Sequence, residues 1–250
     1  MPTRERDAGE TASAYATSLL SVDRIAEGTL GFRIGKPPGF EPLAGQYTVV
    51  HLPETDELRG EDREHMFSIA SAPEEPILQF ATRIEERDSP WKRTLANLAA
   101  GARLHLDEPD GQFVLPDPPE GSLAFLAGGI GITPLRALLR HLLFARAQAD
   151  VALFYSNPTV SRAAFLQELR ELPGQLQGFR LVHTVTDEEP PRGDERGRID
   201  ADMLARHLDD VHEPLYYLAG PPAMVKDMRR MLLSEDVGKE RIKVESFTGY

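Results

Sequence analysis

The 250-residue sequence contains no cysteine. The chain therefore forms no disulfide, offers no thiolate nucleophile and cannot ligate an iron–sulfur cluster through cysteines of its own. It also lacks any run of about 18 consecutive apolar residues, the length that a membrane-spanning helix requires. The first residues, MPTRERDAGETAS, are charged where a signal peptide carries an apolar segment. These features predict a cytoplasmic protein that does not insert into a membrane.

Positive charge is scarce as well. Lys and Arg number 28 against 40 Asp and Glu, which gives a formal net charge of −12. Binding to nucleic-acid phosphates or anionic lipids needs clustered Lys and Arg, so no nucleic-acid partner is predicted. The seven histidines show neither H-E-x-x-H nor another close pairing of ligands, and we predict no metal site. Hydrophobic residues make up 41% of the sequence, enough for the core of one large domain or two of medium size.

The first half of the sequence has the pattern of a β-sheet domain. From Tyr15 to about Leu115, short β-type runs alternate with Gly and Pro turn residues, as in an antiparallel barrel or sandwich. One predicted helix interrupts these runs in the segment SPWKRTLANLAAG. Ser89 is a suitable N-cap, Pro90 takes the first helical position, and Gly101 is expected to end the helix.

The second half alternates apolar strands with amphipathic helices, which predicts a parallel sheet covered by helices. The change follows the proline-rich segment PDPPEG, and we place the domain boundary there. The predicted organisation is a disordered tail over residues 1–14, an antiparallel β-barrel over 15–117 and a doubly wound α/β domain over 118–250.

A glycine-rich turn, GGIGITP, separates the first strand and first helix of the predicted α/β domain. Gly129, Gly131 and Pro134 form the frame G-x-G-x-x-P. Glycines permit a tight turn and the close approach of a pyrophosphate, and free N–H groups at a helix start favour an anion. Thr133 is expected to cap the helix and Pro134 to begin it. The same glycines also suit an ordinary turn between a strand and a helix.

Three further motifs stand in a fixed order around this turn: HMFSIASAP from His65, AGPPAMV from Ala219, and the ending VESFTGY. Alternation in the first puts Phe67 and Ser68 on opposite faces of a strand. Together the four motifs resemble the ferredoxin–NADP reductase family. That family has a flavin-binding barrel with an R-x-[YF]-S strand, a nucleotide domain opening with G-G-x-G-[IA]-x-P, a [CA]-G-P-x turn and an acidic-x-aromatic ending. The resemblance covers nearly all of the sequence from about Tyr15 onward.

The resemblance implies two cofactors, FAD and NADP, with NAD as the alternative to NADP. It makes Ser68 and Glu245 the catalytic candidates, with the Ser68 hydroxyl near the flavin N5 edge and Phe67 along the flavin. The flavin-binding candidates are His65, Phe67, Ser68, Thr82, Arg83, Ser89 and Lys92. The nucleotide-binding candidates are Gly128, Gly129, Gly131, Thr133, Pro134, Arg162, Gly220 and Pro221. An aromatic ring, that of Phe247 or Tyr250, is expected to cover the flavin until nicotinamide displaces it.

Each charged or capping candidate also has a purely structural interpretation. Arg83 and Lys92 can be solvated surface charges, and a Ser89 cap needs no ligand. Phe247 can be a core contact of its strand, and Tyr250 can belong to a frayed end.

Two positions depart from the family pattern. His65 stands where the family carries arginine, and a neutral histidine cannot hold a pyrophosphate bidentately, which leaves the choice of FAD over FMN open. Arg63 is expected on the same strand face as a substitute. Ala219 stands where many members have cysteine. Because hydride passes between nicotinamide and flavin without a protein nucleophile, this change should weaken positioning rather than abolish the chemistry.

The end of the second parallel strand decides which nucleotide such a domain prefers. In NAD-binding proteins an acid there binds the ribose hydroxyls, whereas cations accept the 2′-phosphate of NADP. Here VALFYS ends without an acid, and Arg162 is expected to open the next helix. This pattern favours NADPH, unless Arg162 is simply a solvent-facing helix residue.

The sequence thus predicts a two-domain flavoprotein that moves hydride from NAD(P)H into FAD and then single electrons to a separate carrier, such as a ferredoxin or flavodoxin. One alternative is reduction of a diffusible small molecule such as a quinone, free flavin or ferric complex. Another is a flavin- or nucleotide-binding regulatory module without turnover. The intact glycine turn together with Ser68 and Glu245 argues against that module, which transfers no hydride.

Overall fold

The computed structural model describes residues 15–84, 89–119 and 121–247, so the predicted N-terminal tail and Tyr250 lie outside the described residues. The first sheet has the strand order β4-β3-β6-β1-β2-β5, with neighbouring strands antiparallel. Its members are β1 (Tyr15–Ala26), β2 (Thr29–Gly35), β3 (Tyr47–His51), β4 (Glu64–Ser68), β5 (Ile77–Arg83) and β6 (Arg103–Leu106). Just beyond β4, the Ala70 N–H donates to the Gln79 carbonyl in β5 at 2.7 Å. This bond joins the two edges of the sheet, so the predicted antiparallel barrel is confirmed.

Aromatic side chains fill the barrel. The Phe32 ring lies 5.2 Å from that of Phe67 and 5.1 Å from that of Phe80. Helix α1 (Pro90–Asn97) closes one end of this core, where Trp91 donates its indole N–H to the Arg63 carbonyl at 2.8 Å. Ser89 caps the helix, as predicted, by accepting the backbone N–H of Lys92 at 3.3 Å.

The predicted end of α1 is wrong. The helix ends at Asn97, four residues before Gly101, because Leu98 takes an extended conformation while its N–H still bonds to the Leu95 carbonyl. Gly101, with φ of 90°, lies in the turn that follows and leads into β6.

The second sheet is parallel throughout, with the strand order β10-β9-β8-β7-β11-β12. Its strands are β7 (Gly121–Gly128), β8 (Ala149–Asn157), β9 (Phe179–Val185), β10 (Glu195–Arg196), β11 (Leu215–Gly220) and β12 (Ile242–Ser246). Helices α2 (Ile132–Ala145), α3 (Leu166–Glu171), α4 (Ala201–His207) and α5 (Pro222–Ser234) connect them. Residues of α2 and α3 pack in the hydrophobic cluster on one face, and residues of α4 and α5 in that on the other. The predicted doubly wound α/β domain is confirmed.

The order of the parallel strands reverses between β7 and β11, which makes their carboxyl ends the expected ligand crevice of such a sheet. β7 leads there into α2 and β11 into α5. The chain passes from the first sheet to the second between Leu106 and Gly121. The exact domain boundary at residues 117 and 118 stays a prediction.

The two sheets are joined by a buried contact at the connecting segment. Tyr217 in β11 donates its hydroxyl to the Val114 carbonyl at 2.8 Å, and Lys243 in β12 donates to the same oxygen at 2.6 Å. The Phe113 ring packs 5.2 Å from that of Tyr217. These bonds hold the segment that leaves the barrel against the second sheet.

Candidate active site at the domain junction

Two adjoining cavities lie between the barrel and the parallel sheet, with volumes of about 70 Å³ and about 680 Å³. The smaller is bounded by β4, β5, α1 and the turn before α2, and the larger by β3, β4, β12 and the segment after β6. Both cavities are lined by His65, Met66, Ser68 and Phe247. Of the predicted site residues, Thr82, Arg83, Lys92 and Thr133 line the smaller cavity and Glu245 lines the larger one.

Ser68 and Glu245 meet across this junction. Ser68 is the last residue of β4 and is buried, and its hydroxyl donates a hydrogen bond to Glu245 Oε1 in β12. Burial raises the pKa of the Glu245 carboxyl from an ordinary 4.5 to about 7, and the Ser68 hydrogen bond opposes this shift only in part. The Glu245 carboxyl can therefore gain or lose a proton near neutral pH. In the neighbouring strand β11, Ala219 lies directly beside Glu245.

Cationic side chains line the smaller cavity. Arg83 ends β5, and its Nη2 atom is buried without a hydrogen-bond partner among the described residues. Lys92, in the first turn of α1, is also buried. A buried guanidinium nitrogen without a partner is costly, so an anionic ligand is the group that fits there. Thr82 contributes to the same wall, but its hydroxyl donates to the Arg83 carbonyl at 3.3 Å.

His65 lines both cavities, in surroundings that disfavour the charged form of its imidazole. Burial and the nearby Lys92 ammonium lower the pKa of its imidazole below the ordinary 6.5. Its ring packs edge-on against Phe67 at 4.8 Å and Trp91 at 5.4 Å. Phe67 itself belongs to the barrel core and borders only the smaller cavity. Whether it lies along a flavin stays a prediction.

The expectation for Arg63 is wrong. This residue does not lie on β4 but ends a 3₁₀ turn (Gly60–Arg63) before the strand. Its Nε atom donates to the Leu52 carbonyl at 2.8 Å, which directs the guanidinium into the barrel wall instead of the cavity. Arg83 therefore takes the place that the sequence suggested for Arg63 as a source of positive charge.

The glycine turn forms as predicted between β7 and α2, but its glycines serve different purposes. Gly129 has φ of 51°, and a Cβ atom there would lie 3.5 Å from Nη1 of Arg83. Gly131 instead faces β11, where a Cβ atom would lie 2.2 Å from the Ala219 carbonyl oxygen. A side chain at 131 would strike this backbone, and whether Gly131 also borders a bound nucleotide stays a prediction.

The remaining glycines also provide close packing. A Cβ atom on Gly128 would lie 2.1 Å from Sδ of Met224 in α5. Gly220, with φ of 155°, would place one 3.1 Å from the Gly128 carbonyl oxygen. The close approach of β7 and β11 at their carboxyl ends thus depends on glycine at both positions. Pro221 follows Gly220 as the N-cap residue of α5.

The predicted cap of α2 is wrong. The helix begins at Ile132, directly after a 3₁₀ turn (Gly129–Gly131), and has no side-chain cap. Because winding starts earlier than expected, Thr133 already lies inside the helix and donates its hydroxyl to the Ile130 carbonyl at 2.6 Å. Pro134 consequently follows two helical residues, still within the first turn, where its missing N–H costs no hydrogen bond.

A third cavity of about 500 Å³ opens at the carboxyl ends of β8 and β9, beside α4 and α5. Its walls include Ser156, Thr186, Pro221 and several methionines of α5, and one cation, Arg198, lies at this cavity. Arg198 is exposed, with no ion pair or hydrogen bond shown to another described residue. Such a cavity suits the adenosine part of a nucleotide, with Arg198 available to a phosphate.

Arg162 does not open the next α-helix, as was expected. It ends a 3₁₀ turn (Val160–Arg162), and α3 begins only at Leu166. Phe165, with φ of 60°, interrupts the helical winding between them. Arg162 is also absent from the lining of the third cavity. Arg198 was missed because it reaches the cavity from the distant segment before α4, and no local motif marks such a position.

Lys243 is another lining residue that the motifs did not reveal. It lies two residues before Glu245 in β12 and lines the larger cavity with it. Strand periodicity places residues i and i+2 on one face, so this signal was present in the sequence. Burial lowers the pKa of its ammonium group.

Phe247 is the last described residue of the chain, and it lies at the junction of the two domains. Its backbone N–H donates to the Gly220 carbonyl at 3.1 Å, and its half-buried side chain lines both junction cavities. A ring at this position can cover a planar cofactor. The competing candidate, Tyr250, lies outside the described residues.

In the described ranges, no group of three or more His, Asp and Glu side chains is arranged to hold a metal ion. None of the helices described there is long and apolar enough to span a bilayer.

Comparison with known proteins shows which proteins this chain resembles. Residues 125–230 match the family model of the oxidoreductase NAD-binding domain. The reductase component of propane 2-monooxygenase from Rhodococcus jostii is 26% identical over 240 residues, 93% of this chain and 63% of that protein. The reductase subunit of an aromatic O-demethylase from Amycolatopsis is 29% identical over 238 residues, 92% of this chain and 68% of that protein.

Solved structures agree. A cytochrome P450 reductase from Amycolatopsis has a TM-score of 0.81 and 26% identity, covering 98% of this chain and 74% of the other. A ferredoxin NADP⁺ reductase from Neisseria gonorrhoeae has a TM-score of 0.80 and 22% identity, covering 92% and 97%. The resemblance to the ferredoxin–NADP reductase family that the four motifs predicted is thus confirmed. The chain spans 63% and 61% of the first two curated relatives it matches, so it corresponds to only part of their length.

Proposed function

We propose that this chain is an FAD-dependent NAD(P)H oxidoreductase that passes electrons to a separate acceptor. The observation that carries the proposal is the hydrogen bond between Ser68 and Glu245, which joins the two domains inside a cleft. Relatives named as reductase components of oxygenase systems support the activity and the separate acceptor. The expected cytoplasmic location belongs to this proposal, and cell fractionation tests it.

The junction fits FAD. The buried Nη2 atom of Arg83 has no partner in the described chain, and together with the buried Lys92 it provides cationic groups for a pyrophosphate. Ser89 caps the first turn of α1, the turn from which Lys92 lines the smaller cavity. The adjoining larger cavity, about 680 Å³, gives room for a flavin ring. FAD, when bound, supplies the chemistry that accepts a hydride and releases electrons one at a time.

The chain's own residues then have distinct tasks. Arg83 and Lys92 would hold the phosphates, and Phe247 would shield the cleft from water. Ser68 Oγ and Glu245 Oε1 would hold and move a proton beside the reacting atoms, a task that the raised pKa of Glu245 suits at neutral pH. The third cavity, with Arg198 at its edge, would take the adenosine end of NADPH.

The test begins with the purified protein. We expect a flavin spectrum, FAD as the flavin released on denaturation, and loss of the visible absorbance when NADPH is added anaerobically. A panel of acceptors that includes a ferredoxin, a flavodoxin, menadione, free FMN and ferric citrate then separates a protein carrier from a diffusible molecule.

Two outcomes would contradict this proposal. FMN alone in the released flavin would contradict the assignment of Arg83 and Lys92 to a pyrophosphate. A flavin that NADPH and NADH both fail to reduce would favour a regulatory module without turnover. Ser68→Ala is expected to slow flavin reduction, with Ser21→Ala of β1, a partly exposed residue outside both junction cavities, as the matched control.

A further inference from the structure

A buried arginine of α2 contacts the barrel outside the two junction cavities. The Arg136 side chain is only 6% exposed, and its Nη1 atom donates to the Ala70 carbonyl at 2.6 Å. The same atom lies 3.4 Å from Oε2 of Glu75. Arg136 is thus the point at which the first helix of one domain bonds to the backbone of the other.

Its guanidinium is held from its own domain as well. Nε donates to Oε2 of Glu168 in α3 at 2.9 Å, and the guanidinium lies over the Phe165 ring at 5.1 Å from its centre. Two carboxylates therefore balance the buried charge, and the aromatic ring restricts its position.

The barrel side of this contact is preorganised. The Ala70 N–H is bonded to Gln79 in β5, and the Ala72 N–H donates to Oε2 of Glu75 at 2.7 Å. The segment from 70 to 75 therefore presents a fixed carbonyl and a fixed carboxylate to Arg136.

Both residues of this contact are near cleft residues in the sequence. Ala70 is two residues beyond Ser68, and Arg136 is three residues beyond Thr133, which lines the smaller cavity. Any shift of α2 relative to the barrel must break the bond from Arg136 to Ala70. Hydride transfer is sensitive to such shifts, since a displacement of about 1 Å can cost about 100-fold in rate.

We propose that Arg136 is a positioning residue that fixes the spacing across the cleft, so that nucleotide and flavin meet at the distance hydride transfer requires. This inference rests on the proposed function. Arg136 is not among the lining residues of either junction cavity, and it acts on the barrel through the Ala70 carbonyl and the Glu75 carboxylate.

Arg140, one helical turn further along α2, provides a matched control. Its Nε atom lies 3.7 Å from Glu75 and 3.8 Å from Glu168, the two carboxylates that Arg136 uses. It makes no bond to the Ala70 carbonyl in the described structure. Removing Arg140 therefore perturbs the same charge cluster while the bond from Arg136 to the Ala70 carbonyl remains.

The experiment compares Arg136→Met, Arg136→Lys and Arg140→Ala with the unaltered holoprotein by anaerobic stopped flow at saturating NADPH. We expect the limiting rate of flavin reduction to fall about 10- to 100-fold in R136M, partial recovery in R136K and little change in R140A. Hydrogen exchange of the amides in residues 70–75 should rise in R136M and stay unchanged in R140A.

The double variant R136M/E168Q also removes the negative charge of Glu168, the carboxylate that Arg136 Nε contacts, and serves if R136M loses flavin. An unchanged limiting rate and unchanged exchange in R136M, or equal losses in R140A, would overturn the inference. A wild-type protein that binds no flavin or is not reduced by NADPH would instead overturn the proposed function. The exchange measurement would still report whether Arg136 links the domains.

Discussion

Ser68 and Glu245 are 177 residues apart in sequence and share a hydrogen bond in the folded protein. One lies at the end of a barrel strand and the other in the last strand of the parallel sheet. Their contact forms only when both domains are folded and docked. The pKa of the Glu245 carboxyl therefore depends on the docking of the two domains, and its raised value can be measured.

The first prediction concerns the pH dependence of stability. Because the pKa of Glu245 is raised to about 7, its contribution is fully present below pH 4.5 and is lost as the pH rises through 7. Wild type should therefore lose about 1–3 kcal/mol relative to Glu245→Gln between pH 5 and 8. Thermal melts of both proteins across this range measure the difference. Parallel curves for the two proteins would show that Glu245 does not titrate with a raised pKa.

The second prediction concerns Arg83. Loss of a charge-assisted hydrogen bond costs about 1.5–3 kcal/mol, so Arg83→Met should weaken FAD binding by roughly 10- to 150-fold. Equilibrium dialysis of the flavin-depleted protein against FAD gives the dissociation constant. Arg24→Ala, on an exposed position of β1, is the matched control and should bind FAD normally. Unaltered FAD affinity in R83M would place the pyrophosphate elsewhere.

The third prediction concerns the glycine turn. In Gly131→Ala, the new methyl group would collide with the Ala219 carbonyl, and overpacking of this kind costs about 1–3 kcal/mol or more. We expect a lower melting temperature rather than a selective rise in KM for NADPH. Gly174→Ala is the control, since a Cβ atom there has no neighbour within 4 Å among the described residues. A stable G131A protein with a raised KM would restore the view that this glycine faces the nucleotide.

The fourth prediction concerns the ring that covers the flavin. If Phe247 is that ring, Phe247→Ala should tighten NADP⁺ binding and build a long-wavelength charge-transfer band during titration, because the nicotinamide no longer competes with it. Deletion of Tyr250 is the companion variant, and Phe144→Ala on the exposed face of α2 is the control. A response to the Tyr250 deletion alone would assign the cover to that residue, and no response in either would exclude both.

The fifth prediction concerns which of two arginines, Arg198 or Arg162, binds the 2′-phosphate of NADPH. Arg198 lies at the third cavity and Arg162 does not line it. Arg198→Ala should raise KM for NADPH about 10-fold or more while KM for NADH changes little, because only NADPH carries the 2′-phosphate. Arg162→Ala should leave both constants unchanged. Equal KM values for both nucleotides in wild type, unaffected by R198A, would show that Arg198 does not select NADPH.

The order and type of the secondary-structure elements follow from local features of the sequence. Turn residues between short β-type runs predicted the barrel, and strands alternating with amphipathic helices predicted the parallel sheet, because both patterns follow from local periodicity. The Ser89 cap and the position of the glycine turn were also local, and the structure shows both. The roles of Ser68, Glu245 and Phe247 came from motif resemblance, and they stay predictions although the three residues meet in one cleft.

Two features depend on the tertiary structure: which charged residues line the site, and which distant residues contact one another. Arg63 was expected on a strand face and Arg162 at the start of an α-helix, yet each of them ends a 3₁₀ turn. The direction in which Gly131 faces depends on β11, which lies 88 positions later at Ala219. Arg136 acquires its contact with Ala70 only when the two domains dock. These relationships join residues far apart in sequence, and local periodicity carries no information about which distant surfaces will pack together.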